Sequence, residues 1–202
     1  MYTLIAFLGG ILAASGTVPY VIATIKRQTR PRIVTWLTWA LLTALASAAA
    51  FGDHQIGSGL FALLGTLSTG AVVVTGLRSG DRSFARLDVV CMAGVVLGLV
   101  LWLLFNSPAI GVWMAIIIDF VGLIPTAKHA WQAPHEETAL TYALVGVGGF
   151  MSVVAIVLQS GISVTGIGYP FYAGLSLGLL AIMIGLRRAV LPQPTESTPQ
   201  EP

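Results

Sequence analysis

Charge is what this sequence has least of. Ten basic and eight acidic side chains serve 202 residues, or 9%, where soluble chains carry about 25%. So few charges cannot clothe 21.2 kDa in a water-facing surface. That excludes a soluble enzyme, a nucleic-acid binder and a secreted disulfide scaffold. Cysteine is represented only by Cys91, so no intrachain disulfide can form and a thiolate metal cluster is excluded. His54, His129 and His135 are too scattered for a metal site, and no cofactor is implied. The only lysines, Lys26 and Lys128, sit near span ends, which removes a retinal Schiff base from the bundle interior. A P-loop is missing, so the chain is no ATP-driven engine by itself. HExxH, GxSxG and a pair of intramembrane aspartates are missing too, and the chain reads as no enzyme.

What is present is apolar length. Hydrophobic residues make up 56% of the chain and the mean hydropathy is +0.89. A membrane helix needs roughly 20 apolar residues. Seven such stretches occur, at 2–24, 33–51, 57–77, 87–105, 108–130, 138–158 and 164–186, separated by Pro, Gly and charged breakers. Runs such as 87–105 are apolar on every face and too long for barrel strands, which alternate over about ten residues. Helices are the other spanning structure that satisfies the backbone in lipid. Twenty-three glycines point to closely packed helices. The start, Met1-Tyr2-Thr3, lacks the basic region of a cleaved signal. The stretch 189–202 is polar and Pro-rich at its end and is expected to be a disordered cytoplasmic tail.

With seven spans every basic residue falls on one side. Lys26, Arg27, Arg30 and Arg32 follow the first span; Arg78, Arg82 and Arg86 follow the third; Lys128 ends the fifth; Arg187 and Arg188 follow the seventh. The positive-inside rule makes that side cytoplasmic, with the N-terminus out and the C-terminus in. A bacterial inner (plasma) membrane is the expected location and the lipid bilayer the first partner. The basic loop 26–32 serves as a topology determinant beside anionic lipid, and Glu136 and Glu137 on the same side are expected to pair with it.

The sequence also repeats. Shifted by 106 residues, Gly16 falls on Gly122, Pro19 on Pro125, Thr35 on Thr141 and Trp36 on Tyr142. At an offset of 109, Gly65 meets Gly174, and Gly76-Leu77-Arg78 meets Gly185-Leu186-Arg187. Three is odd, so two directly joined three-helix units would be inverted; a spare fourth helix restores a parallel pair. The expected organisation is a first repeat at 1–80, a linker helix at 81–107 and a second repeat at 108–188. Parallel repeats about an axis along the membrane normal are a transporter plan.

The patterns GTVPY and RPRIVTWLTW, echoed by GLIPT and HEETALTYAL, resemble the PQ-loop and SWEET superfamily over about residues 5–188. The run GDRSFARLD at 80–88 is similar to uncharacterised bacterial members. The resemblance implies an all-α, 3+1+3 helix membrane fold and a transport role. The name-giving Pro-Gln is Pro19-Tyr20 and Pro125-Thr126 here. The Asn that SWEET sugar carriers place on the third helix of each repeat has no counterpart, the only Asn being Asn106 in a turn. Their prolines on the second and sixth helices are also absent, Pro31 and Pro134 lying in loops.

Asp119 is the sharpest single feature. It lies about ten residues from either end of the fifth span, where a carboxylate is costly and normally faces a bundle interior. Thr43, Thr66, Ser68, Thr69 and Ser176 lie at similar depth, with Tyr172 one turn outward. Together they are expected to form a midplane ring that binds a small polar solute, although each hydroxyl alone suits an interhelical hydrogen bond. About 9 Å further in, Pro19 and Pro125 pair as hinges and Trp36 with Tyr142 as an inner gate, extended by Trp39. The expected function is a carrier of a small polar solute, sugar-like or another small metabolite, working by alternating access. The other reading is a non-transporting scaffold or sensor in which Asp119 is a structural hydrogen bonder. A second copy of the chain is the one protein partner left open.

Overall fold

The computed structural model describes residues 1–27, 31–78, 80–83 and 86–191. The helices are α1 Tyr2–Ser15, α2 Val18–Ile25, α3 Ile33–Gly52, α4 Ile56–Gly76, α5 Arg86–Phe105, α6 Pro108–Gln132, α7 Ala139–Ser160 and α8 Val164–Val190, with a 3₁₀ turn at Pro134–Glu136. Taking α1 and α2 together, seven helical segments are long and apolar enough to cross a membrane. The chain is all-α and has the character of an integral membrane protein. Each expected span falls within a few residues of its helix. The last helix runs to Val190, so residues 189 and 190 belong to it, and the rest of the expected tail beyond Leu191 lies outside the described residues.

Local chemistry sets the ends. Pro108 opens α6, where a missing N–H costs nothing. Ser163 caps α8 by accepting a hydrogen bond from the Gly166 N–H at 3.0 Å. α7 ends at Gly161, whose φ of 78° is cheap only for glycine.

Adjacency follows a simple rule. α4 packs against both α1 and α3, and α8 packs against both α6 and α7. The two triplets meet where α1 lies on α7, α3 on α6 and α4 on α8. α5 lies outside, against α6 and α3. Its buried residues Asp88, Cys91, Val95 and Gly98 form one stripe at helical spacing. The rest of it, from Val89 to Phe105, is largely exposed, as expected of a helix bathed in lipid. At its start the Asp88 carboxylate accepts hydrogen bonds from Arg32 at 2.9 Å and from Thr35 at 3.3 Å, tying α5 to α3.

Small residues allow the closest approaches. A Cβ on Gly146 would lie 2.9 Å from the Gly178 Cα, and one on Gly149 2.8 Å from the Gly174 Cα, so α7 and α8 meet backbone to backbone. Gly9 and Gly148 do the same between α1 and α7, where Ser152 donates to the Ala6 carbonyl at 3.0 Å. The largest buried cluster joins α3, α4, α5, α6 and α8 through Leu42, Leu45, Phe61, Cys91, Val112, Ile118 and Tyr169.

The loops gather at two ends. The described lysines and arginines sit at one end, with the loops that follow α2, α4, α6 and α8. At the opposite end Thr165 donates to the Asp53 carboxylate, Ser160 to the Gln55 amide oxygen at 3.5 Å, and Thr3 to the Gln159 amide oxygen at 2.9 Å.

Candidate functional site

Asp119 is the twelfth of 25 residues in α6. The lipid-side stripe of that helix is Trp113, Ile117, Phe120 and Ile124, all exposed. Asp119 stands off that stripe and is half-buried. Its neighbour one turn on, Gly122, faces α3: a Cβ there would lie 3.7 Å from the Trp39 indole nitrogen. From α8, Tyr172 brings its hydroxyl within interaction range of the Asp119 carboxylate. That hydroxyl is buried and has no hydrogen-bond partner among the described residues. Buried polar groups are normally paired, and an orphan asks for an explanation. The Trp39 N–H likewise has no protein acceptor among the described residues.

Aromatic rings cluster around these residues. Tyr169 is 6.2 Å from Tyr172 and 6.5 Å from Phe61 of α4, centroid to centroid. Trp39 meets Trp36 edge-on at 5.1 Å, and Trp36 meets Tyr20 of α2 at 4.8 Å. A chain of rings thus runs from Tyr20 through Trp36 to Trp39, beside Gly122 of α6.

The hydroxyl groups expected around Asp119 do not form a ring with it. Thr69 donates to Gly65 O at 2.8 Å, Ser68 to Gly65 O at 3.0 Å and Ser176 to Tyr172 O at 2.7 Å, each within its own helix. Thr43 donates to Trp39 O at 2.8 Å and accepts from Thr66 at 3.1 Å, pinning α3 to α4. No hydrogen bond joins any of them to Asp119 among the described residues. Their protons are committed, and a solute would meet them only as acceptors.

The gate residues also separate. Tyr142 donates to Glu137 at 2.7 Å and packs with Ala130, Leu180 and Ile184. Trp36 turns to Tyr20 and Trp39, and no ring contact joins it to Tyr142 among the described residues. Tyr20 is the residue that sequence reasoning passed over; its only signal was its place directly after Pro19. The prolines differ as well. Pro125 lies inside an unbroken α6, whereas Pro19 is in the first turn of α2, after a break at Gly16-Thr17. Both are exposed. The break is held from α7, where Thr141 donates to Gly16 O at 2.9 Å.

The expected bonds between the basic loop and Glu136 or Glu137 are replaced by others. Arg32 pairs with Asp88, Glu136 with His129 at 3.2 Å and Glu137 with Tyr142; residues 28–30 of that loop lie outside the described residues. In the loop after α4, Ser83 donates its hydroxyl at 2.7 Å and its N–H at 2.8 Å to Asp81. These bonds hold the Asp81 carboxyl below the usual carboxylate range. No group of His, Cys, Asp and Glu side chains suited to a metal ion occurs among the described residues.

No protein-family model matches the chain, nor does any curated protein or solved structure.

Proposed function

We propose that the chain is a membrane carrier for a small polar solute, with Asp119, Tyr172 and Trp39 as its binding groups. The observation that carries this reading is the approach of Tyr172 of α8, its hydroxyl buried and without a formed hydrogen bond among the described residues, to Asp119 of α6, with Trp39 of α3 against the next turn of α6 at Gly122. A solute with both donor and acceptor groups would complete all three. Burying a carboxylate near mid-bilayer costs about 2.5–3.5 kcal/mol on insertion scales, whereas an intramembrane hydrogen bond returns about 0.6 kcal/mol on average. Asp119 as a mere helix fastener would therefore be a net loss.

The proposed architecture is 3+1+3, in keeping with the resemblance to the PQ-loop and SWEET superfamily. Matching adjacency supports it. In each triplet the third span lies between the first two, and the contacts between triplets come in the pairs that a two-fold relation requires: first span on sixth and second on fifth, third on seventh. Asymmetry of charge supports a cytoplasmic basic end and an outer N-terminus in a bacterial inner membrane. The bonds of Asp53 with Thr165 and of Gln55 with Ser160 join the halves at the outer end. In alternating access they would part when the outer side opens, and the rings of Tyr20, Trp36 and Trp39 would line the route inward.

The test is uptake into proteoliposomes. A thermal-shift screen of the purified protein against sugars, amino acids and small organic acids first selects the solute, because a ligand of the folded state raises the melting point. Wild type is expected to transport it and Asp119→Asn to lose most uptake. Equal uptake by Asp119→Asn removes Asp119 from the mechanism. The scaffold or sensor reading is favoured by one observation, the commitment of the central hydroxyls to their own helices. It predicts no stabilising solute at all.

A further inference from the structure

At the basic end, between the end of α2 and the end of α4, lies a cavity of about 210 Å³ lined by Thr24, Ile25, Arg27, Thr75 and Arg78. Two exposed arginines from different spans line one space, with no carboxylate among the lining residues. Neither forms an ion pair or a side-chain hydrogen bond among the described residues. Holding two like charges together is unfavourable unless an anion joins them. Arg27 has a φ of 57°, at the residue that follows the cap of α2, where glycine or asparagine is the favoured choice. Arginine in that conformation carries a strain that glycine would relieve.

We propose that this cavity binds a phosphate group. Planar guanidinium forks match phosphate oxygens in pairs, and no other lining residue offers a free donor: Thr24 gives its proton to Tyr20 O at 2.9 Å and Thr75 to Ala71 O at 2.7 Å. The cavity opens where the apolar spans end, which is the depth of lipid headgroups. The source is thus an anionic phospholipid or a free phosphate ion reaching the same forks. Bound there, the anion would tie the end of α2, beyond the Gly16-Thr17 break, to α4. The site shares no residue with the proposed carrier site, so each can fail alone.

The experiment measures the melting temperature of the full-length protein in detergent, titrated with short-chain phosphatidylglycerol, short-chain phosphatidylcholine or inorganic phosphate. Phosphatidylglycerol is expected to raise it beyond the phosphatidylcholine baseline. A rise with inorganic phosphate as well assigns the site to the free ion; a rise with the lipid alone assigns it to the headgroup. Arg27→Gln and Arg78→Gln are each expected to weaken the response roughly fivefold and the double variant to abolish it, with melting in phosphatidylcholine unchanged. Arg86→Gln removes the same charge from the same end, outside the cavity, and is expected to leave the response intact. The proposal is overturned if neither anion shifts wild type, if the double variant responds like wild type, or if Arg86→Gln loses as much.

Discussion

Asp119 separates stability from function at the scale of one residue. If the carboxylate is kept for a solute, an apolar replacement relieves its cost. Asp119→Leu is therefore expected to raise the melting temperature, by an amount worth roughly 2–3 kcal/mol, while uptake disappears. A drop in melting temperature would mean that Asp119 fastens helices and would return the scaffold reading. Asp81 gives a prediction in pH. Its carboxyl is held low by Ser83, so its ionised form supports the folded loop above the ordinary carboxylate range. That support is lost as pH falls through the depressed value. Amide protection in residues 80–83, measured against the intrinsic exchange rate at each pH, is expected to fall on acidification and to be low at neutral pH in Asp81→Asn; a loop indifferent to both changes refutes the assignment. Asp119 was legible in the sequence because a charge among apolar residues stands out against its surroundings. The ring of hydroxyls was not, because a Ser or Thr in a helix always has a carbonyl one turn back within reach, and only Thr66 found a side chain across the gap. Tyr169 and Tyr20 gave little signal, since aromatic residues are common in membrane spans and nothing in their spacing marks a site.

At the scale of elements, glycine decides where helices touch. All seven spans could be read from apolar length, but partners could not, because lipid-facing and helix-facing residues are equally apolar. The difference lies in how near the helices come. A Cβ on Gly148 would press on backbone, lying 2.9 Å from the Ala13 nitrogen, and backbone cannot rotate aside. Gly148→Ala is expected to cost about 1–3 kcal/mol as α1 and α7 separate. A Cβ on Gly185 would meet nothing within 4 Å, so Gly185→Ala is expected to be neutral or to stabilise by about 0.5–1 kcal/mol, the ordinary helical penalty of glycine. Comparing the two melting curves checks the packing directly; equal effects would contradict it. The broken first span follows the same physics. Proline marked the right neighbourhood, but the break falls ahead of Pro19, where Gly16 is small enough to let the α7 backbone in and Thr141 takes its carbonyl.

For the molecule as a whole, the two junctions between triplets are built differently. α1 meets α7 through Gly9, Gly148 and Ser152, with backbone against backbone, whereas α3 meets α6 through side chains, Ala49 against Gly111 and Trp39 against Gly122. In the proposed carrier the first junction would serve as a fixed pivot and the second as the surface that shifts around a solute. The proposed orientation rests on charge: each basic residue placed on the wrong side works against insertion, and the described lysines and arginines lie at one end. In a Cys91→Ser background, Ile162→Cys sits in the loop between α7 and α8, 80% exposed, and Arg82→Cys in the exposed loop after α4. A membrane-impermeant maleimide applied to intact cells is expected to label the first and to reach the second only after the membrane is opened. Labelling of Arg82→Cys alone in intact cells would invert the bundle and put the Asp53–Thr165 contact in the cytoplasm; labelling of both would mean that the span count is wrong or that the chain inserts both ways, and a carrier with one defined inner mouth would be ruled out.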